Sequence, residues 1–340
     1  MTDGPGAFCR QERGTLSHDP GSWPARFHAL RRPSSGPMDR HAFEIAHAAL
    51  GYDSPGAAIE VSLGGLALEC VEGAVTLAVA GGGFSLTVDK LAMNAWAVVS
   101  VRAGSSLTIR PGSWGSWTYL AFAGRLKAAA WLGSVSTHAP SGFGGGRITV
   151  DQSLEIEDAE LREERVREVP CPAWARPRAQ LDVVLGPQDR YFSKEAREHL
   201  VSQPFALTEG FDRMGVRLSG PSLAPDAALD MPSEPIAYGS IQVSGDGAPT
   251  VLLADHQTTG GYPKIATVVS DQIAGLVQHR SRSQISFRSV APEAAVQEFR
   301  MRRQPVEAFL ASLRARPTTL LERLISSNLI DGVTSGAVEP

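Results

Sequence analysis

Cysteine is scarce in this 340-residue chain: there are three, Cys9, Cys70 and Cys171, far apart and with no CxxC pair. A disulfide framework and a structural zinc site are therefore not expected, and the reading is a cytoplasmic protein. The eight histidines lack metal spacing too, since HExxH is absent and His41 and His47 lie six residues apart; both are expected at the surface. No apolar stretch approaches the ~20 residues that span a bilayer, and Met1–Arg13 has no apolar core of a secretory signal. Neither sign of charge dominates: the net charge is −4, and basic runs such as His279–Arg282 have no interleaved aromatics. Neither nucleic acid nor membrane is expected as a partner. Nucleotide loops are missing as well. Gly142–Arg147 puts arginine where the third glycine of GxGxxG belongs, no GK[ST] occurs, and no GxSxG marks a hydrolase elbow.

What is present is β-rich. Short apolar runs, among them Val75–Val79, Phe84–Val88, Trp96–Val101, Leu107–Ile109 and Thr118–Ala123, alternate with glycine and proline breaks, the spacing of short strands in a sheet or barrel. A helix at about Met38–Leu50 carries one apolar stripe through Phe43, Ala46 and Leu50. The charged stretch Glu155–Glu168, followed by Pro170, Pro172 and Pro177, marks a connection, and a second β-rich half begins at Leu181. Apolar residues at helical spacing through Ala294–Phe299, Val306–Arg316 and Thr318–Ile325 predict a helical tail. The expected division is a flexible leader over 1–14, a first unit over 15–155, a linker over 156–180, a second unit over 181–292 and a tail over 293–340.

Asp255–Lys264, DHQTTGGYPK, gathers an acid, amide, hydroxyls, glycines and an amine into ten residues between a predicted strand (Thr250–Ala254) and an apolar segment (Ile265–Gln278). Gly260 and Gly261 would free the backbone for positive φ, and Asp255, Gln257 and Lys264 would bring acceptors, a bidentate amide and a cation to one small volume. That combination suits a carboxylate, amide or ureido group. The alternative is a turn whose side chains cap their own backbone, with Lys264 solvated. Trp114, Trp117, Trp131 and Phe143 are read as strand packing.

The string QTTGGYPKIA within Asp255–Val269, with Gly239–Val243 and Asp212–Leu218 before it, resembles the biotin-dependent carboxyltransferase family, which includes Kip-antagonist proteins, allophanate hydrolase subunit 2 and the C subunit of 5-oxoprolinase. Pro33–Asp39, Ala58–Gly65, Thr118–Gly124, Leu132–Thr137, Gly142–Arg147 and Gly186–Gln188 fall in family order. The resemblance implies a mainly β fold of two cyclophilin-like β-barrel domains with a few helices. It also implies a cytoplasmic subunit of a carboxyltransferase or ATP-hydrolysing 5-oxoprolinase acting on an amide, lactam or ureido substrate. Its partners would be a Kip-inhibitor-like homologous subunit and a LamB/YcsF-like subunit, with ATP or carboxybiotin supplied through them. By position, Asp255, Gln257 and Lys264 would be catalytic. Thr258, Thr259, Gly260, Gly261, Tyr262, Gln242, Arg213, Arg217, Glu60, Ser35 and Asp39 would bind substrate, with arginine suited to a carboxylate. No protein-bound metal is implied. A non-catalytic Kip-antagonist-like regulatory module is the other reading. The chain departs from the family in its first half: the VQDLGRPG pattern becomes Leu16–Trp23, and GSRSTD becomes Gly133–His138, so that an arginine and an aspartate are absent.

Overall fold

The computed structural model describes residues 35–226 and 231–315, together with the backbone of the strands Ala7–Gln11 and Gly14–Ser17. Both expected β-rich halves are present. In the first, fourteen strands form two seven-stranded antiparallel sheets. One contains Leu66–Glu72, Ser85–Val88, Ser106–Arg110 and Ser153–Glu157; the other contains Ala58–Val61, Ala74–Ala80, Ala97–Arg102 and Thr118–Phe122. Ala7–Gln11, expected in a flexible leader, is instead a strand between Ser153–Glu157 and Leu66–Glu72. Its partners lie far along the chain, so local composition could not reveal the pairing.

The alternation of side chains along each strand explains how this half is built. Ile59, Val61, Leu77, Val79, Leu120 and Phe122 share an apolar core with Leu66, Leu68, Leu86, Leu107, Ile109 and Leu154 of the facing sheet. The intervening residues Ala58, Glu60, Ala78, Ala80, Tyr119 and Ala121 point the other way and are buried as well. Four of those six are alanines, which lets the helix α1 (Arg40–Ala49) approach closely with its own Ala42, Ala46 and Ala49. A sheet covered on both faces reads as a continuous apolar run, which accounts for Thr118–Ala123.

In the second half, seven strands close into a barrel in the order Gln180–Leu185, Lys264–Val268, Ser240–Val243, Pro249–Leu252, Gly215–Ser219, Phe205–Phe211 and Gln284–Ser289. The one parallel pair, Gln180–Leu185 with Gln284–Ser289, closes it. Two further helices, α2 (Lys194–Ser202) and α3 (Ile273–Val277), belong to this half. Within the described residues the tail is one helix, α4 (Pro292–Arg314), which continues through Pro305; Thr318–Ile325 lies outside the described residues.

α1 is buried all round except at Arg40, because the alanine face of the sheet, α3 and α4 cover it. His41 and His47, expected at the surface, are therefore interior. One polar satisfaction is local: the His47 ring lies 2.9 Å from the Phe43 carbonyl through Nδ1. The charged segment expected as a linker is fastened to the first half. Glu160 exchanges backbone bonds with Ala123 and Thr76, and Arg167–Glu168 pairs with Ala97–Val98.

Candidate functional site

Arg213 stands at the meeting of the two halves, in the turn that precedes the barrel strand Gly215–Ser219. Asp212 shapes that turn by accepting from the Met214 and Gly215 amides at 2.8 and 3.2 Å. The guanidinium forks onto Asp255, Nε to Oδ2 at 3.0 Å and Nη2 to Oδ1 at 2.9 Å, and its Nη1 donates to Glu60. Nη2 also donates to the Gly36 carbonyl at 2.7 Å and to Ser35 Oγ at 3.0 Å. Ser35 Oγ is 2.6 Å from Asp255 Oδ1 and 2.8 Å from the Thr137 carbonyl. Ser35, Glu60, Arg213 and Asp255, dispersed over 220 residues, thus form one network in which all but the partly exposed Arg213 are buried.

Glu60 is directed there by the alternation described above. Its cross-strand partner is Tyr119, whose hydroxyl donates to Glu60 Oε2 at 2.7 Å, and the Met38 amide donates to the same oxygen at 2.9 Å. Burial, then the charge of Glu60, raises the Tyr119 pKa well above the ordinary value, so the phenol remains a donor. Burial works to lower the pKa of Arg213, but Glu60 and Asp255 overcome it and hold the guanidinium protonated. Asp39 caps α1 through the Ala42 amide at 3.0 Å and accepts from Gln278 Nε2 at 2.6 Å, and its own amide donates to Tyr119. Burial nevertheless pushes its pKa up to about 6.

The saturation of Arg213 alters the role expected for it. With two carboxylates, a hydroxyl and a carbonyl already accepting from it, the guanidinium holds the two halves in register and is not a free receptor for a carboxylate. Both Asp255 oxygens are likewise engaged, Oδ2 also accepting from the Ala139 amide at 3.3 Å. The first-half segment that departs from the family pattern thus reaches the network through the Thr137 carbonyl and through Ser136 Oγ, 3.5 Å from Ser35 Oγ, and Ala139 just beyond it through its amide.

The other end of the Asp255–Lys264 loop is a second cluster. Gln257 Nε2 donates to Gln242 Oε1 at 3.3 Å, and Gln242 Nε2 to the Tyr262 carbonyl at 3.3 Å. Lys264 lies opposite Gln242 in the strand register. Its side chain is buried, its Nζ has no hydrogen-bond partner, and burial lowers its pKa against the opposing pull of Glu234. Around its backbone, Gln188 accepts from the Lys264 amide at 2.9 Å and donates its own amide to the Lys264 carbonyl at 3.1 Å. Gln188 Nε2 in turn donates to Glu234.

Gly260 and Gly261 do not take positive φ. What Gly260 supplies is space, since a Cβ there would lie 2.8 Å from Ile236 Cδ1 and 2.9 Å from Gln242 Nε2. Thr259–Gly260 forms a two-residue strand with Glu234–Pro235, while Thr258, Thr259 and Gly261 are half-buried and Tyr262 is exposed. Arg217 is not brought to either cluster. Val216 and Leu218 fill the barrel, so Arg217 between them points outward, where it pairs with Asp246. Tyr119, Gln188, Glu234 and Gln278 escaped sequence reading. Tyr119 and Gln188 carried a signal, their places in the Thr118–Gly124 and Gly186–Gln188 segments of the resemblance.

A cleft of about 1010 Å³ opens between the halves, and Asp255, Arg213, Ala139, Trp117, Phe211 and Arg280 are among the residues lining it. Trp117 is thus a cleft wall as well as packing, while Trp131 and Phe143 stack on each other in a loop at 4.5 Å, outside any strand. Among the described residues no group of three or more His, Cys, Asp or Glu side chains could hold a metal ion. The chemistry on offer is a buried amine beside amide donors and acceptors, with a rigid charged network at the other end of the same loop.

The family model described as carboxyltransferase domain, subdomain A and B, matches residues 32–289. The chain is 32% identical over 286 residues to the C subunit of 5-oxoprolinase from Haemophilus influenzae, covering 82% of this chain and 88% of that one. It is 28% identical over 302 residues to a putative urea carboxylase of Emericella nidulans, covering 82% of this chain but 23% of that protein. In fold it is similar to the crystal structure of the K. lactis urea amidolyase, with a TM-score of 0.78 and 21% identity over 91% of this chain and 20% of the other.

Proposed function

The chain belongs to the carboxyltransferase-domain family, subdomains A and B, and from that premise we propose that it is the subunit that holds the N–C=O group of a small amide, lactam or ureido substrate. The proposed complex is of the carboxyltransferase or 5-oxoprolinase type. One relative is named as a subunit of 5-oxoprolinase and another as a putative urea carboxylase, and lactam and urea share that planar unit. The observation that carries the reading is the Lys264 amine, buried without an acceptor beside the paired amides of Gln242 and Gln257. A substrate carbonyl would supply the missing acceptor, and the protonated amine would stabilise negative charge developing on that oxygen. Asp255, fixed by Arg213 and Ser35, anchors the start of the loop that delivers the glutamine.

ATP or carboxybiotin would act through partner subunits, a Kip-inhibitor-like homologue and a LamB/YcsF-like protein. The test is turnover by the assembled complex, measured as 5-oxoproline-dependent ATP hydrolysis and, separately, as carboxyl transfer to urea. Lys264→Met keeps the length and buried shape of the side chain, and a fall in kcat of about 10²–10³-fold is expected, the scale of losing one oxyanion donor. Unchanged turnover would overturn the assignment. A stable complex with no turnover on any amide tested would favour the non-catalytic, Kip-antagonist-like reading.

A further inference from the structure

Glu234 has no place in the site as read from the sequence, yet its position singles it out. The chain has only four lysines, Lys90, Lys127, Lys194 and Lys264, against 28 arginines. Three of the four are exposed, and the buried one, Lys264, has no partner for its Nζ. Arginine cannot give up its proton in a protein, whereas a buried lysine can change charge, so a lysine at this position keeps a choice that arginine would remove. Something must set that choice.

The carboxylate of Glu234 is joined to Lys264 through a single residue, Gln188. Gln188, itself buried, is clamped to Lys264 by two backbone-directed bonds, and its Nε2 is donated to Glu234 Oε2. The strand bridge of Glu234 to Gly260 fixes its backbone against the Asp255–Lys264 loop. Other charged groups on the elements around Lys264 are engaged elsewhere. Asp182 is bound by Arg288 and Arg302, Asp189 faces Arg197 at 3.5 Å, and Arg190 donates to the Pro187 carbonyl.

We propose that Glu234, positioned by Gln188, sets the charge of Lys264 and so makes it a cation for a ligand oxygen rather than a neutral amine. This rests on the reading that Lys264 belongs to the site, and it makes Glu234 and Gln188 positioning residues. The ligand class follows: a group that presents a carbonyl or carboxylate oxygen to Lys264, closed over by the Gly260 loop on which Glu234 is paired. Glu234 also acts in the expected direction, since its charge opposes the lowering that burial imposes on the amine.

The experiment follows the ¹³Cε shift of the four lysines against pH in the free chain, without substrate or partners. Glu234→Gln keeps the oxygen that accepts from Gln188 and removes only the charge. The titration midpoint of Lys264 is expected to fall in that variant while those of Lys90, Lys127 and Lys194 stay where they are. Glu234→Asp, which retains a carboxylate and serves if the glutamine variant is poorly folded, should restore the midpoint in part. A Lys264 midpoint unmoved by loss of the charge would overturn the proposal. Because no turnover is read, that result is distinguishable from failure of the functional reading.

Discussion

Removing the guanidinium of Arg213 would leave Glu60 and Asp255 buried across from each other with no cation between them. Losing one partner of a buried ion pair costs about 3–5 kcal/mol, because the remaining charge keeps its desolvation penalty and loses its compensation. Arg213→Met should therefore lower the urea midpoint strongly. Combining it with Glu60→Gln and Asp255→Asn should recover most of the loss, since the stranded charges are then gone. If the triple variant is no more stable than the single one, the network is not held by charge balance. Arg213→Lys should rescue only partly, because an ammonium cannot reproduce the fork onto Asp255.

At the scale of an element, α1 carries two opposed titrations two residues apart. Burial raises Asp39 from 3.8 to about 6, so the folded chain binds its proton more tightly than the unfolded one, and stability from this group is lost as pH rises from about 4 to 6. Burial lowers His41 from 6.5 to about 4, so the unfolded chain binds that proton more tightly, and stability is lost as pH falls from 6.5 to about 4. At about 1.4 kcal/mol per pKa unit each effect is worth about 3 kcal/mol, and the two nearly cancel in the wild type. Asp39→Asn retains a good capping side chain and exposes the histidine slope; its stability relative to wild type should rise with pH across this range. His41→Gln should do the reverse, and parallel pH profiles for all three chains would contradict both assignments.

The same helix shows what the sequence could and could not carry. Its apolar stripe through Phe43, Ala46 and Leu50 predicts one buried face, and that periodicity was legible. The burial of Glu44 comes from α4, which supplies Arg303 at 3.0 Å from 259 residues away, and the ring of His41 packs edge-on against Trp174 of the connecting segment. Strand content was legible in the same way, since alternation and glycine breaks are local. Of the candidate site, local pattern marked only the contiguous Asp255–Lys264; Ser35, Glu60, Arg213 and Gln242 were reached through the family resemblance, which carries placement across the chain that local pattern does not. That Arg213 would be saturated, or Arg217 turned outward, depends on which neighbours the closed barrel and the first half bring, and nothing local records it.

Across the whole molecule the two halves are joined as one body. A single apolar cluster runs from Phe43 and Tyr119 of the first half through Val216, Ile241 and Phe287 of the barrel to Val306, Leu310 and Leu313 of α4. α4 leaves the barrel and crosses back, and its C-terminal carbonyls are met by arginines of the connecting segment. Arg165 donates to Leu313 and Arg314 at 3.2 and 3.0 Å, and Arg167 donates to Leu313 at 3.0 Å. These cations satisfy carbonyls that have no partner within the helix and sit at the negative end of its dipole. Such a helix couples the halves rather than merely trailing from one. Leu310→Ala, which opens a cavity in the shared cluster, should cost about 2–5 kcal/mol. The two halves should also lose that stability together. Tryptophan fluorescence, with Trp96 and Trp117 in the first half, and far-UV circular dichroism of the whole chain should give coincident urea transitions in wild type and variant alike. A variant in which the circular dichroism transition moved while fluorescence stayed in place would show that the barrel unfolds on its own, and that α4 does not bind it to the other half of the site.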